Sequence, residues 1–405
     1  MTTASSNGSH DVGGSGRQGK GRSRYALWRG ENGAHCFPGV GADLFINLHD
    51  LEGLARERLP AGVFDYYAGG AHDEITVREN RAAYDRIALR PRIFVDVSTR
   101  DLSTTLLGSV LRAPIGIAPM AFQGMAHPDG ELATARGASA SHTLMTLSTF
   151  ASSPLEAVRA ATGSPLWFQL YVFKDRGATR ALVARAEHAG YAALVVTADA
   201  PVLGQRERDI RGRFQIPAGV PNAVAPPAGS IPEAPVDSPL AHHFAHQVDP
   251  SLRWRDLEWL AGLTRLPLVV KGVLRGDDAH RAAEHGAAGV IVSNHGGRQL
   301  DTAVATADAL ADVTQEAGDR LEVIVDGGIR RGTDVLKAIA LGARAVLVGR
   351  PILWALAHGG ETAVARVLDL LRAELDLAMA LCGCASLGEI TPDLLVFSNR
   401  STPRP

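Results

Sequence analysis

Disulfide frameworks, membrane spans and nucleic-acid footprints are all missing from this chain. Its 405 residues include only Cys36, Cys382 and Cys384, too few for a disulfide framework, and a lone C-x-C lacks the partners of a zinc site. A reduced, cytoplasmic setting without a bound metal is therefore expected. No apolar run approaches the ~20 residues that cross a bilayer. The 41 Lys and Arg nearly balance 43 Asp and Glu, with no sustained basic stripe, so nucleic acid is not an expected partner. No G-x-G-x-x-G follows a first strand and no G-x-x-x-x-G-K-[ST] occurs, which sets aside a Rossmann dinucleotide fold and a P-loop. Residues 1–40 are rich in Gly, Ser and Arg, lack the apolar centre of a signal peptide, and read as a disordered tail.

What the chain does hold is alternation. Pro114–Pro119, Leu144–Ser148, Trp167–Tyr171, Ala192–Thr197, Leu266–Lys271, Gly289–Ser293, Glu322–Asp326 and Ala345–Gly349 are short apolar or β-prone runs. Helix-compatible stretches separate most of them, such as Asp129–Ser141, Ala178–Ala189, Asp277–His285 and Thr333–Leu341. Strand alternating with helix implies an α/β fold with a parallel sheet, and eight units suggest closure into a (β/α)8 TIM barrel. Period alone does not separate a closed barrel from an open doubly wound sheet. The polar residues do. Nearly every run ends in one: Ser148, Gln169 with Tyr171, Thr197 with Asp199, Lys271, Ser293 with His295, Asp326-Gly327-Gly328 and Gly349-Arg350. In a barrel these ends converge on the face that carries active sites. The barrel is expected over residues 41–395, with a C-terminal tail at 396–405.

The densest chemistry lies in Ser293-Asn294-His295-Gly296-Gly297-Arg298-Gln299-Leu300-Asp301, just past the buried run Ala288–Val292. An imidazole takes a proton near neutral pH, and a guanidinium grips a planar anion through two parallel hydrogen bonds. Together they suit deprotonation of a carboxylate-bearing substrate. At the last two strand ends, Asp326-Gly327-Gly328-Ile329-Arg330-Arg331-Gly332 and Gly349-Arg350-Pro351 each open a helix. Glycines let backbone N–H groups approach an anion, helix N-termini favour negative charge, and arginine adds a fork, so a phosphate site is expected there.

These residues carry a family resemblance. From roughly Leu44 to Ile390 the chain resembles the FMN-dependent 2-hydroxy acid dehydrogenases and oxidases, the group containing glycolate oxidase, lactate oxidase and mandelate dehydrogenase. SNHGGRQLD is specific to that family. FDYYAGGAHDE (Phe64–Glu74), AHPDGELATARGAS (Ala126–Ser139), WFQLYVFKDR (Trp167–Arg176) and VDGGIRRGTDVLKA (Val325–Ala338) are further family-like stretches.

The resemblance implies roles. His295 would be the active-site base, the Cα hydrogen leaving toward the flavin either as hydride or after a carbanion forms. Asp199 would hydrogen-bond the imidazole and raise its basicity. Arg206 and Arg298 would bind the substrate carboxylate, and Tyr66 and Tyr171 the carboxylate and hydroxyl. Lys271 would stabilise the reduced flavin at its N1/C2=O edge. Pro119, Met120 and Ala121 would pack on the ring, and Ser148, Gln169, Tyr171 and Thr197 would meet its polar edge. Ser293 would lie beside the ribityl chain. Asp326, Gly327, Gly328, Arg330, Gly349 and Arg350 would hold the ribityl and phosphate end. FMN is thus the implied cofactor, a small 2-hydroxy acid the substrate, and O2 or another acceptor the electron sink.

Departures from the family pattern bear on substrate. Phe150 stands where glycolate oxidases carry a tryptophan, and Leu203 is a second apolar wall position, together favouring a larger or aromatic side chain over glycolate. Small Ala198 and Ala200 are expected to loosen the Asp199–His295 contact, and Met120 replaces a smaller or hydroxylated residue. Leu51–Leu59 and Gly62–Ala68 read as helices that bring Tyr66 over the barrel mouth. Phe214–Leu252 is unusually long, and its Pro-, Ala- and Gly-dense middle, Ile216–Pro239, reads as a mobile lid rather than the apolar anchor of membrane-bound relatives. Glu361–Leu381 reads as a long helix that could help form a homotetramer. Two other readings stand beside hydroxy acid oxidation: a flavin isomerase or tailoring enzyme acting on a natural-product or peptide-derived precursor, and a silent binding module. The paired Arg206 and Arg298 disfavour the isomerase, and intact His295 and Lys271 disfavour the module.

Overall fold

The eight apolar runs are strands because each is short, β-branched or leucine-rich, and buried on both faces, as a parallel sheet covered by helices demands. A computed structural model describes residues 45–217, 219–222 and 238–397. Before the barrel come helices α1 (Asp50–Arg58), α2 (Ala61–Ala68) and α3 (Ile75–Asp85), strand β1 (Ile87–Leu89) and a hairpin of β2 (Thr104–Leu106) and β3 (Ser109–Leu111). The barrel strands are β4 (Ile115–Ile117), β5 (Leu144–Leu147), β6 (Leu166–Leu170), β7 (Ala193–Thr197), β8 (Leu268–Val273), β9 (Gly289–Val292), β10 (Glu322–Asp326) and β11 (Ala345–Val348). They pair in sequence, all parallel, and β11 closes on β4 with Leu347 opposite Gly116. The sheet is therefore a closed barrel, not an open doubly wound one.

Around it lie α4 (Gly130–Ala140), α5 (Leu155–Ala160), α6 (Arg176–His188), α7 (Glu207–Arg211), α8 (Pro239–Gln247), α9 (Trp254–Ala261), α10 (Gly276–Glu284), α11 (Thr306–Ala317), α12 (Gly332–Ala340) and α13 (Arg350–Cys382). The core has two layers. Trp167, Val195, Val269, Ile291, Ile324 and Leu347 fill the barrel interior, joined by Leu106 and Leu111 of the β2–β3 hairpin. A larger shell packs between strands and helices. A packed interior leaves the strand ends as the place for a cavity.

Three expectations need adjustment. The helix expected from Glu361 is the second half of α13, which departs from helical geometry at Gly359 and Gly360. The domain reaches past residue 395, because β12 (Leu395–Phe397) pairs antiparallel with β1. Within the long β7–β8 connection, α8 is a helix that Ser238 caps by accepting from Ala241 N at 3.2 Å, with Pro239 in the first turn. The rest of the lid expected at 216–239 falls mostly outside the described residues, as do the 1–40 tail, Cys36 and residues 398–405. Among the described residues no helix is long and apolar enough to cross a membrane.

Candidate active site

The C-terminal strand ends surround a cavity that is open at its mouth. Tyr66, Phe150, Tyr171, Leu203, Arg206, Lys271, His295 and Arg298 line it. So do Pro119, Met120, Ala121, Ser148, Gln169, Thr197, Asp326, Gly327, Gly328, Arg330, Gly349 and Arg350. Of the residues singled out in the sequence, Asp199 and Ser293 are not on the wall. Asp199 stands behind His295. The Ser293 hydroxyl is buried, accepting from Lys271 Nζ at 2.8 Å and from His295 N at 3.1 Å. It therefore holds two other site residues instead of facing the cavity.

His295 follows β9 in a left-handed conformation, φ 58°, a sparsely populated region for a non-glycine residue. Its Nδ1 donates to Asp199 Oδ1 at 2.9 Å, which leaves Nε2 as the nitrogen free to take a proton. Small Ala198 and Ala200 thus do not loosen the contact. Burial lowers the imidazole pKa; Asp199 raises it, but Lys271 and Arg206 add to the lowering, and the net direction is down. The expected gain in basicity from Asp199 is real but outweighed, and the ring is neutral when it meets substrate. Lys271, at the end of β8, is buried 3.4 Å from Asp326 Oδ2. Burial opposes its charge, yet Asp326 and Asp199 outweigh that and hold its pKa above the ordinary value.

Opposite the base sit two guanidinium groups. Arg298 Nη1 donates to Tyr66 O at 2.5 Å and Gly69 O at 3.0 Å, and its head lies 4.8 Å from the centre of the Tyr66 ring. Arg206, just before α7, is buried. Burial first, then Arg298, push its pKa down to about 10. Neither arginine forms a salt bridge among the described residues, and Asp209 offsets only part of their charge, so the pair favours an anion in the cavity. Met120, Phe150, Leu203, Leu240 and Phe244 supply an apolar wall nearby. Phe150 packs against Tyr171 at 5.3 Å, and Phe214 stacks on Tyr66 at 4.1 Å.

Toward β10 and β11 the wall becomes an anion cradle. Gly328 has φ 85°, and a Cβ there would lie 1.9 Å from Asn80 O, so no side chain fits. Arg330 and Arg350 are each lowered by burial and by neighbouring arginines, Arg81 among them. Glu52 pairs with Arg81 at 2.8 Å and offsets part of this charge; the rest favours an anion, and the buried Asp326 Oδ1 has no protein partner. Between the halves, Gln169 accepts from Ser148 Oγ at 3.2 Å and donates to Thr197 Oγ1 at 3.0 Å, forming a polar strip. These residues fit FMN: arginines for its phosphate, an unpartnered Asp326 oxygen for its ribityl hydroxyls, and a polar strip with Lys271 for its ring.

Sequence reasoning missed Asn80, Arg81, Tyr67, Phe122, Leu240 and Phe244 on the cavity wall. Asn80 and Arg81 lie on α3, whose first amides donate to Asp301 at 3.3 and 2.9 Å from 225 or more residues away. No local signal announces such a cap. Glu131 was also overlooked. Its buried Oε1 accepts from Gln123 N at 3.0 Å and Ser152 N at 2.9 Å, tying together the loops after β4 and β5.

Barrel, phosphate cradle, buried lysine and His–Asp pair define a flavin-dependent oxidoreductase. The chain belongs to the FMN-dependent dehydrogenase family, whose model matches residues 55–397. It is 55% identical to an L-lactate oxidase of Nostoc sp. over 357 residues, covering 86% of this chain and 98% of that protein. A glycolate oxidase of Spinacia oleracea is 51% identical, covering 85% of this chain and 94% of its own length. Among solved structures, a mandelate oxidase with (S)-4-hydroxymandelic acid superposes with a TM-score of 0.82 at 42% identity, covering 87% of this chain and 98% of that one.

Proposed function

We propose that this protein is an FMN-dependent oxidase that converts an (S)-2-hydroxy acid to the 2-oxo acid. The observation that carries it is the cavity itself, which sets the His295–Asp199 pair and the Arg206 and Arg298 side chains beside a second group of arginines. Arg206 and Arg298 clamp the carboxylate and fix which face of Cα is presented. The Tyr66 and Tyr171 phenols, kept protonated by burial, donate to substrate oxygens. The neutral His295 takes the hydroxyl proton on Nε2, and Asp199 stabilises the imidazolium that results. Bound FMN supplies the acceptor for the two electrons and the Cα hydrogen. Lys271 holds positive charge where the reduced ring becomes negative.

O2 as the final acceptor is supported by the lactate, glycolate and mandelate relatives, all named oxidases. The apolar wall of Met120, Phe150, Leu203, Leu240 and Phe244 favours a substrate with an apolar side chain over glycolate. A cytoplasmic setting, supported by the buried free thiols of Cys382 and Cys384, and a homotetramer using α13 complete the reading. In aerated buffer, (S)-lactate or (S)-mandelate should give equal amounts of 2-oxo acid and hydrogen peroxide. The (R)-acids should give neither. Turnover of both enantiomers, or 2-oxo acid without peroxide, would refute this reading in its stereochemistry or its acceptor.

A further inference from the structure

The loop between β7 and α7 must place three functional groups at once. Asp199 stands behind the imidazole, Leu203 is on the cavity wall, and Arg206 is in the carboxylate clamp. Residues 198–206 form neither helix nor strand, Ala198 and Ala200 offer no polar anchor, and Pro201 has no amide hydrogen. Backbone bonds hold the ends: Ala198 N donates to Lys271 O at 2.8 Å, and His72 N donates to Gln205 O at 3.0 Å. The Asp199 carboxylate is held at Oδ1 by His295 alone, and its buried Oδ2 has no partner.

Between those ends the loop is clasped by one side chain of the neighbouring segment. Gln299 Nε2 donates to Asp199 O at 3.1 Å and to Val202 O at 2.8 Å, and its Oε1 accepts from Gly204 N at 3.1 Å. Only one orientation of the amide satisfies all three bonds. The two backbones touch here, since a Cβ on Gly204 would lie 2.4 Å from Gln299 O and 2.5 Å from Arg298 O. Arg206 Nε donates to Arg298 O at 3.3 Å across the same seam. One amide therefore sits where the base's partner and both halves of the clamp meet.

We infer that Gln299 is a positioning residue, whose amide clasps the 199–204 backbone so that Asp199 stays bonded to His295 while Arg206 and Arg298 face one anion. Gln299 is not among the residues that line the cavity and acts through Asp199 and Arg206. The inference rests on the proposed base role of His295. Asp199 raises the pKa of His295, so an Asp199 that drifts away lets that pKa fall. The signature is a slower proton abstraction together with an acid limb moved to lower pH.

The test uses FMN-loaded Gln299→Met, which keeps the volume and removes all three bonds. It is mixed anaerobically with (S)-lactate or (S)-mandelate, whichever reduces the wild-type flavin faster, from about pH 5 to 8. His295→Gln, Asp199→Asn and the double Asp199→Asn/Gln299→Met variant are run alongside. The saturating rate of flavin reduction in Gln299→Met should fall on the order of 10- to 100-fold, with its acid limb shifted downward. The double variant should be no slower than Asp199→Asn, because two residues acting as a unit do not lose rate independently. An unmoved limb, or losses that multiply, would overturn the inference. His295→Gln slow with Gln299→Met at the wild-type rate refutes the clasp alone, whereas His295→Gln at the wild-type rate refutes the base. Should Gln299→Met fail to retain FMN, Gln299→Asn keeps the amide on a stem too short to span both carbonyls. It should show the same downward shift in smaller degree, and a wild-type profile there would also overturn the clasp.

Discussion

At the scale of single residues, the chemistry depends on opposing pulls on one imidazole. Burial, Lys271 and Arg206 lower the His295 pKa, and Asp199 raises it without reversing the sign. A base must be neutral to act, so kcat/KM rises with pH through this pKa and then levels off. The acid limb is expected below the ordinary histidine value of 6.5, and a limb above it would contradict the electrostatics described here. Asp199→Asn should move the limb lower still. His295→Gln should leave FMN bound while slowing flavin reduction by ~10²–10⁴-fold, measured by anaerobic rapid mixing; reduction within a few-fold of wild type would remove the base assignment. The charged residues at the strand ends were the most legible part of the sequence, since packing alone gives no reason for Lys271 or Asp326 at the end of an apolar strand. Strand position does not say whether a hydroxyl faces a cavity or a neighbouring ammonium group, and Ser293 meets Lys271.

At the scale of elements, α3 and the loop after β10 show how distant segments share one site. Gly328 lies against Asn80 of α3, so Gly328→Ala should push α3 and the cradle apart and weaken FMN binding at least tenfold in a fluorescence titration. Unchanged affinity would mean that the cradle tolerates the shift. Asp301 caps α3 from the far side of the sequence. Burial works against its charge, but the amides of Thr76, Ile75 and Thr302 outweigh it and leave its pKa lowered. That contribution to stability is present above the unfolded carboxylate pKa and is lost as pH falls through the folded value. Asp301→Ala should cost about 1 kcal/mol near neutral pH, read from urea unfolding. A cost that persists undiminished in acid would argue against the charged cap. The eight barrel strands were legible because buried parallel strands are continuous apolar runs. By contrast, α3 was missed because its cap is not local, and α8 because the Pro, Ala and Gly before it drew its Ser-Pro start into an expected loop.

At the scale of the whole molecule, the barrel gathers five arginines around one cavity, only partly offset by Glu52 and Asp209. Burial, with Arg81 beside both, lowers Arg330 and Arg350, and Arg206 and Arg298 lie further along the same cavity. An FMN phosphate would supply the negative charge that this cavity favours. Free FMN at a hundredfold excess over its Kd should stabilise the fold by about 2.7 kcal/mol, seen as a rise in Tm, and riboflavin without the phosphate should do much less. Equal stabilisation by both would relocate the binding energy from the cradle to the ring. The measurement that reaches the central claim most directly is an anaerobic titration of the purified yellow protein with (S)-lactate and (S)-mandelate, followed at the flavin absorbance. Stoichiometric bleaching by an (S)-acid, reversed on admitting air, is expected; a flavin that neither acid bleaches would contradict hydroxy acid oxidation at this site.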